Sequence, residues 1–242
     1  MCARRAFAVV LLLAAPALAA SASPRPPSLP PDLGAAERAR LTAVADTASI
    51  AIRWEAEPFP ARRDVFEYLL DHPEFATHVT RALKVARYRV FRTKDGLHLD
   101  DGWGTRGHFE VVHATAGVRV VYARGDHEAR WLPSIGGEAV VVFEYGFAPG
   151  SDGRSRVTPA IASFVKIDSR VLSVLSRLAG PYAKEKAEKE ARRLAKVFMR
   201  VSRAIEDEPA RVYDLLRQRP DVPGRELEEF RRLLSLPRTA TP

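Results

Sequence analysis

Between Lys84 and Ile167 six short stretches follow one another: Lys84–Arg92, Leu97–Gly102, Gly107–Thr115, Val118–Glu128, Glu138–Phe147 and Val157–Ile167. Apolar and polar residues alternate along most of them, and a period of two sends successive side chains to opposite faces, so the stretches read as strands. The residues between them suit hairpins. Lys94-Asp95-Gly96, Ala116-Gly117 and Gly150-Ser151-Asp152-Gly153 offer glycine where a tight reversal needs positive φ. Strands joined in this way pair antiparallel. Glu138–Phe147 is apolar on both faces, with Ala139, Val141, Phe143, Tyr145 and Phe147 on one and Val140 and Val142 on the other. That pattern belongs to a strand near the middle of the architecture.

The period then changes. From Asp168 to Glu206, Leu172, Leu175, Ala179, Tyr182 or Ala183, Ala187, Ala191, Leu194, Phe198, Val201 and Ile205 recur at steps of three and four. This predicts one long amphipathic helix, bent at Gly180-Pro181. Upstream, Gly34–Ala45 reads as a short helix with Leu41 and Val44 on one face, and Thr47–Trp54 as a strand. Arg62–Asp71 and Glu74–Ala82 read as short helices separated by His72-Pro73. Pro209–Arg217 and Arg225–Leu234 predict two more helices at the end. The class is therefore α+β: an antiparallel sheet with a long C-terminal helix.

The first 22 residues have a different logic. Arg4 and Arg5 precede an uncharged apolar run, Ala6–Ala15, which Pro16 breaks. Ala17-Leu18-Ala19 and Ala20-Ser21-Ala22 offer small-residue cleavage sites. Charge, then apolar run, then small residues is the order of a secretion signal, and Arg4-Arg5-Ala6-Phe7 also resembles a twin-arginine signal. We expect export across an inner membrane, into a bacterial periplasm. The single cysteine, Cys2, lies inside this segment, so the mature chain would contain no disulfide and no thiolate ligand. Residues 23–44 follow as a proline-rich linker and short helix, and residues 207–242 form the helical tail.

The chain has 38 Lys and Arg against 30 Asp and Glu, a net charge of +8. Without Arg4 and Arg5 the balance is 36 against 30, or +6. In an envelope compartment that favours anionic head groups or acidic polymers over nucleic acid. Lys184-Glu185-Lys186-Ala187-Glu188-Lys189-Glu190 mixes both signs and reads as a solvated helix face.

Arg63-Asp64-Val65-Phe66-Glu67-Tyr68-Leu69-Leu70-Asp71 and the stripe from Leu175 to Ile205 carry a resemblance. With the order strand, two short helices, six strands and a long helix, residues 45–206 resemble the START-like proteins of the SRPBCC superfamily, of the polyketide cyclase and coenzyme-Q-binding types. The resemblance implies a helix-grip fold, a curved antiparallel sheet wrapped around the long helix, with an apolar cavity between them. It implies a monomer that holds a hydrophobic small molecule or lipid there and needs no cofactor. It carries no catalytic motif, so no catalytic residue is assigned.

The small residues Ala179, Gly180, Ala183, Ala187 and Ala191 in mid-helix suggest the same space, unless large strand residues such as Phe143 and Tyr145 fill it. The candidate ligand-binding residues are Phe109, Val111, His113, Tyr122, Arg124, Phe143, Tyr145, Leu175, Ala179, Tyr182, Ala183 and Ala187. His113 is grouped with Phe109 and Val111, and Arg124 with Tyr122, by strand phase. Trp103 and Trp131 sit by glycine- and proline-rich loops beside basic residues. Arg130, Trp131 and Leu132 are the candidate gate for transient membrane contact.

Six histidines show no metal-binding spacing, and Asp100-Asp101 before Gly102-Trp103-Gly104 reads as turn chemistry. No nucleophile elbow occurs. The expected function is binding, with transfer of the ligand between membranes as its extension. Two other readings stay open: a cyclase or hydrolase on the same fold, and a ligand-free envelope protein that docks through its tail.

Overall fold

The structure, a computed structural model, describes residues 29–129, 132–168 and 180–237, with backbone only for Ala129, Leu132, Pro133, residues 180–184 and Lys186. The signal segment, Arg130, Trp131, Leu175 and Ala179 lie outside the described residues. The strands are β1 Ile50–Glu55, β2 Phe59–Pro60, β3 Arg89–Thr93, β4 Gly96–Asp100, β5 Thr105–Thr115, β6 Val118–Ala129, β7 Leu132–Pro149 and β8 Ser155–Ile167. The helices are α1 Ala35–Asp46, α2 Arg63–Asp71, α3 Pro73–Ala82, α4 Gly180–Asp207, α5 Pro209–Arg217 and α6 Gly224–Leu233. All pairings are antiparallel, in the order β1-β8-β7-β6-β5-β4-β3, and the short β2 also pairs with β8. The expected class is the observed one, a curved antiparallel sheet with a long helix at its C-terminal side.

Residues paired directly across strands share a face, so the register divides the sheet into two faces. On the inner face, Phe59, Ala61, Phe66, Phe143, Tyr145, Val157 and Ile161 form a core with Leu194, Phe198 and Met199 of α4. On the outer face, α1 lays Leu41 and Val44 over Val120, Tyr122, Val140, Val142, Ala162 and Phe164. Both faces of β7 are therefore covered, as its composition requires. A third core joins Val65 and Leu69 of α2, Phe75 and Val79 of α3, and Val197, Val201 and Ile205 of α4. Val212, Tyr213 and Leu216 of α5, with Phe230 of α6, complete it. The apolar faces of the tail helices are thus spent within the chain.

Three glycines set the bend of the sheet. Gly107 pairs with Gly125, and Gly125 with Gly137, in one row across β5, β6 and β7. A Cβ at Gly125 would stand 2.3 Å from the Arg106 carbonyl oxygen and 2.7 Å from the Gly107 Cα. At Gly107 and at Gly137 it would stand 2.7 Å from a neighbouring strand's carbonyl oxygen. The strands approach more closely along this row than side chains permit, which is how glycine admits a sharp bend.

The sequence reading requires one correction in β7. The strand was read as Glu138–Phe147, but β7 begins at Leu132, so Pro133–Gly137 is strand too, and Ala129 pairs with Leu132. Gly137 belongs to the close approach with β8, and a Cβ at Gly136 would meet the Asp168 and Asp126 carboxylates at 2.5 and 3.1 Å.

Candidate functional site

The expected ligand space lay between sheet and long helix. Where both walls are described, aromatic rings fill it. Phe66 of α2 has ring centroids around it at 6.3 Å (Phe143), 5.4 Å (Tyr145), 5.8 Å (Phe147) and 5.9 Å (Phe198). The gap left between α2 and α4, lined by Ala61, Val65, Phe66, Leu69, Ser202 and Ile205, measures about 10 Å³. That volume holds no more than one water. Phe143 and Tyr145 are therefore core residues here, not walls of an open cavity.

The inner face is not covered evenly. α4 packs along β1 and β2, at one side of the sheet. Across β5, β6 and β7 the register lines up Phe109, Ala123 and Ala139 in one row and Val111, Val121 and Val141 in the next. Five of these six side chains are half-buried, and Val111 is 39% exposed. Phe109, Val111, Val121, Ala123 and Ala139 belong to none of the three cores. Ala187 of α4 is also half-buried. Two of the predicted ligand residues, Phe109 and Val111, thus fall together on an accessible apolar patch.

His113, Tyr122 and Arg124 do not join them. The register shifts between Val111 and His113, so His113 pairs with Val120 and turns to the outer face. There its imidazole lies 3.2 Å from the Thr115 hydroxyl and 3.8 Å from an Asp32 carboxylate oxygen. The bulge adds one residue, which inverts the alternation beyond it. Tyr122 pairs with Val140 and Arg124 with Glu138, also on the outer face. Tyr122 is buried beneath α1, with the Arg40 guanidinium 4.3 Å from its ring centroid. Of Tyr182, Ala183 and Leu132 the backbone alone is described.

The Tyr122 hydroxyl donates to Glu138. Burial first, then this bond, pushes the phenol up to about 12. The bond, with Lys166 and Arg124 nearby, holds the Glu138 carboxyl below its usual range. Ionised Tyr122 is tolerated better in the unfolded chain, so its contribution to stability should be lost as pH rises from about 10 towards 12. Tyr68, Tyr88 and Tyr145 are also raised by burial, so an ultraviolet absorbance titration should show several phenols ionising late, and Glu138→Gln should bring one of them down. A titration unchanged in the variant would remove Glu138 from the account.

Polar pairs on the inner side tie elements together. Arg119 Nε and Nη2 donate to Asp71 Oδ1 at 3.0 and 2.8 Å, and Arg119 Nη1 donates to the Val118 carbonyl at 3.0 Å. The Tyr145 hydroxyl reaches Glu67 at 3.5 Å. Both acids stand on α2, one turn apart, so these contacts anchor that helix to the β5–β6 hairpin and β7. Among the described residues no group of three or more His, Cys, Asp or Glu side chains is gathered to hold a metal ion.

A second concavity was not expected from the sequence. An open cleft of about 520 Å³ is lined by Arg81, Lys84, Val85, Ala86, Arg87, Trp103, Arg193 and Arg219. These come from the end of α3 and the loop after it, the β4–β5 turn, α4 and the segment after α5. The turn is built by the two aspartates: the Gly102 amide donates to Asp100 at 2.9 Å, and the Trp103 and Thr105 amides donate to Asp101 at 2.7 and 3.0 Å. Gly104, at φ +107°, presses so closely on the Glu128 carbonyl that a Cβ would stand 2.3 Å from its oxygen. Trp103 is held up by this turn, with Tyr88 edge-on at 5.9 Å and the Arg193 guanidinium 3.3 Å from its ring centroid. Trp103 beside basic residues was the visible signal. That its cations come from four places in the chain was not.

No protein-family profile matches the chain, and no curated protein matches it. Solved structures similar in shape include a hypothetical protein, jhp0584, from Helicobacter pylori, at 10% identity and TM-score 0.35, covering 63% of this chain and 86% of that one. Another is Ara h 8.0201, at 12% identity and TM-score 0.35, covering 62% of this chain and 97% of that one. These are distant likenesses in shape, and the functional reading rests on the chain's own residues.

Proposed function

We propose that this is an exported START-like binding protein that holds one hydrophobic molecule, such as a lipid or a quinone, against the inner face of its sheet. The observation that carries the reading is the half-exposed apolar patch of Phe109, Val111, Val121, Ala123 and Ala139 on the face that also receives the long helix. Contiguous accessible apolar surface on an otherwise charged chain marks a binding surface. An aliphatic ligand would gain about 0.8 kcal/mol for each methylene it buries there. Export rests on residues 1–22, and transfer between membranes on the Arg130-Trp131-Leu132 segment with the net charge of +6 left without Arg4 and Arg5. Catalysis has less support: the polar pairs on the inner side bind α2 in place rather than converge on an open site.

The test is native mass spectrometry and lipid extraction of protein purified from its host, with binding of an environment-sensitive apolar dye. The wild-type protein should retain an extractable apolar molecule and begin near Ser23. Val111→Arg should weaken dye binding about tenfold or more, because it sets a charge in the apolar patch. Its effect on stability should stay within about 0.5 kcal/mol, because the position is already exposed. Dye binding equal in wild type and variant would remove the patch from the reading, and an intact Met1 in the exported protein would remove the cleaved signal.

A further inference from the structure

We infer that the cleft beside Trp103 is an anion site that takes a phosphate-bearing group, separate from the apolar patch. Five cations line it: Arg81, Lys84, Arg87, Arg193 and Arg219. No carboxylate is among the lining residues. Two carboxylates stand behind it. Asp221 Oδ2 lies 3.2 Å from Arg81 and 3.0 Å from Arg219, and Glu190 lies 3.5 Å from Arg193. Asp101, which holds the Trp103 amide at 2.7 Å, is a third, and five cations against three carboxylates leave an excess of two positive charges around one concavity. Among the described residues Lys84 and Arg87 have no ion-pair partner.

The cations are not merely a solvated surface. The side chains of Arg81, Arg219 and Arg193 are 30%, 27% and 35% exposed, so each is partly withdrawn from water. The Arg219 Nε is buried without a hydrogen-bond partner. A guanidinium in that state gains more from an oxyanion than an exposed one does, and its planar fork matches phosphate oxygens two at a time. Lys84 holds an unusual backbone. It closes α3 with φ +55°, its amide donating to the Arg81 carbonyl at 3.1 Å while the Val85 amide donates to the Thr80 carbonyl at 3.0 Å. Glycine or asparagine is the favoured residue at such a helix end, and the lysine there lines the cleft. Helix C-termini attract cations by themselves, which accounts for Arg81 and Lys84. It does not account for Arg87, Arg193 and Arg219, which other segments bring in.

The Arg193–Trp103 stack makes the site readable. An oxyanion that recruits Arg193 changes the environment of the indole, so Trp103 emission reports occupancy. The volume exceeds what inorganic phosphate needs and suits pyrophosphate, a sugar phosphate or a phospholipid head group.

The experiment uses the mature chain with three probes: inorganic phosphate, pyrophosphate, and vesicles of phosphatidylglycerol with phosphatidylcholine vesicles as control. Binding is followed by calorimetry, Trp emission and vesicle co-flotation. The comparison is the Lys84→Asn/Arg87→Gln double variant, in which Asn tolerates the positive φ and neither side chain belongs to a core. Saturable pyrophosphate binding that the variant weakens about tenfold or more supports the site, as does a Trp emission change absent from Trp103→Phe. If only phosphatidylglycerol vesicles bind, and the variant releases them, the phosphate is a lipid head group. If pyrophosphate binds and vesicles do not, it is a soluble compound. Failure of all three probes, or equal binding by wild type and variant, overturns the inference. Neither result bears on dye binding at Val111, so the two sites stand or fall independently.

Discussion

Phe66→Ala is expected to destabilise the protein by about 3–5 kcal/mol, the range for removing a large aromatic ring from a packed core. Among the described residues Phe66 is the one ring that meets rings of three other elements. Phe59 of β2 stands 6.4 Å away, Phe143, Tyr145 and Phe147 of β7 between 5.4 and 6.3 Å, and Phe198 of α4 at 5.9 Å. It therefore closes the joint between sheet, short helix and long helix. Rings cannot slide into a vacated volume as aliphatic chains can, so the cavity should persist, and the cost should fall at the upper part of the range. Urea unfolding should show a lower midpoint with an unchanged slope, which separates lost stability from altered compactness. The variant should also gain affinity for a small apolar probe such as benzene, because a dry apolar void accepts one. A loss below about 1 kcal/mol would mean that the aromatic joint is looser than the ring distances say.

Gly125→Ala should be as damaging, by a different route. One methyl group is added, and it would stand 2.3 Å from the Arg106 carbonyl oxygen and 2.7 Å from the Gly107 Cα. Both obstacles are backbone of the neighbouring strand, which moves only if the β5–β6 ladder opens. Strain of this kind exceeds the usual 1–3 kcal/mol of core overpacking, so about 3 kcal/mol or more is expected. Gly146→Ala is the internal control. It also lies in a strand, but nothing stands within 4 Å of its added Cβ. It should be neutral within about 0.5 kcal/mol, or slightly stabilising through a less flexible unfolded chain. Equal tolerance at the two positions would mean that the sheet is not creased along the glycine row.

Local periodicity was enough to read most of the elements. The period of two between residues 84 and 167, the turn glycines and the period of three and four after Gly180 depend on neighbours in the chain, and most led to the element observed. Lys84–Tyr88, read as the start of a strand, instead closes α3 and runs as loop to β3, and residues 169–179 of the long helix lie outside the described residues. The apolar stripe Leu41 and Val44 likewise marked a helix with one buried face, although nothing local said that it would lie on the outer side of the sheet.

What failed was decided at longer range. Strand phase put His113 with Phe109 and Val111, but one extra residue at the bulge sent it to the opposite face, because alternation carries no memory of an insertion. Tyr122 and Arg124 went to the outer face for want of any local mark of which side receives α4. The glycines at 107, 125 and 137 bore no mark of their role, which is set by how closely other strands approach, a distance with no local signature. Arg81, Lys84 and Arg87 stand in an acid-free basic stretch, residues 75–94, but Arg193 and Arg219 lie more than a hundred residues further on among acids. Charge excess is a property of what is near in space, so only the packing of α3, the β4–β5 turn, α4 and the tail could assemble it.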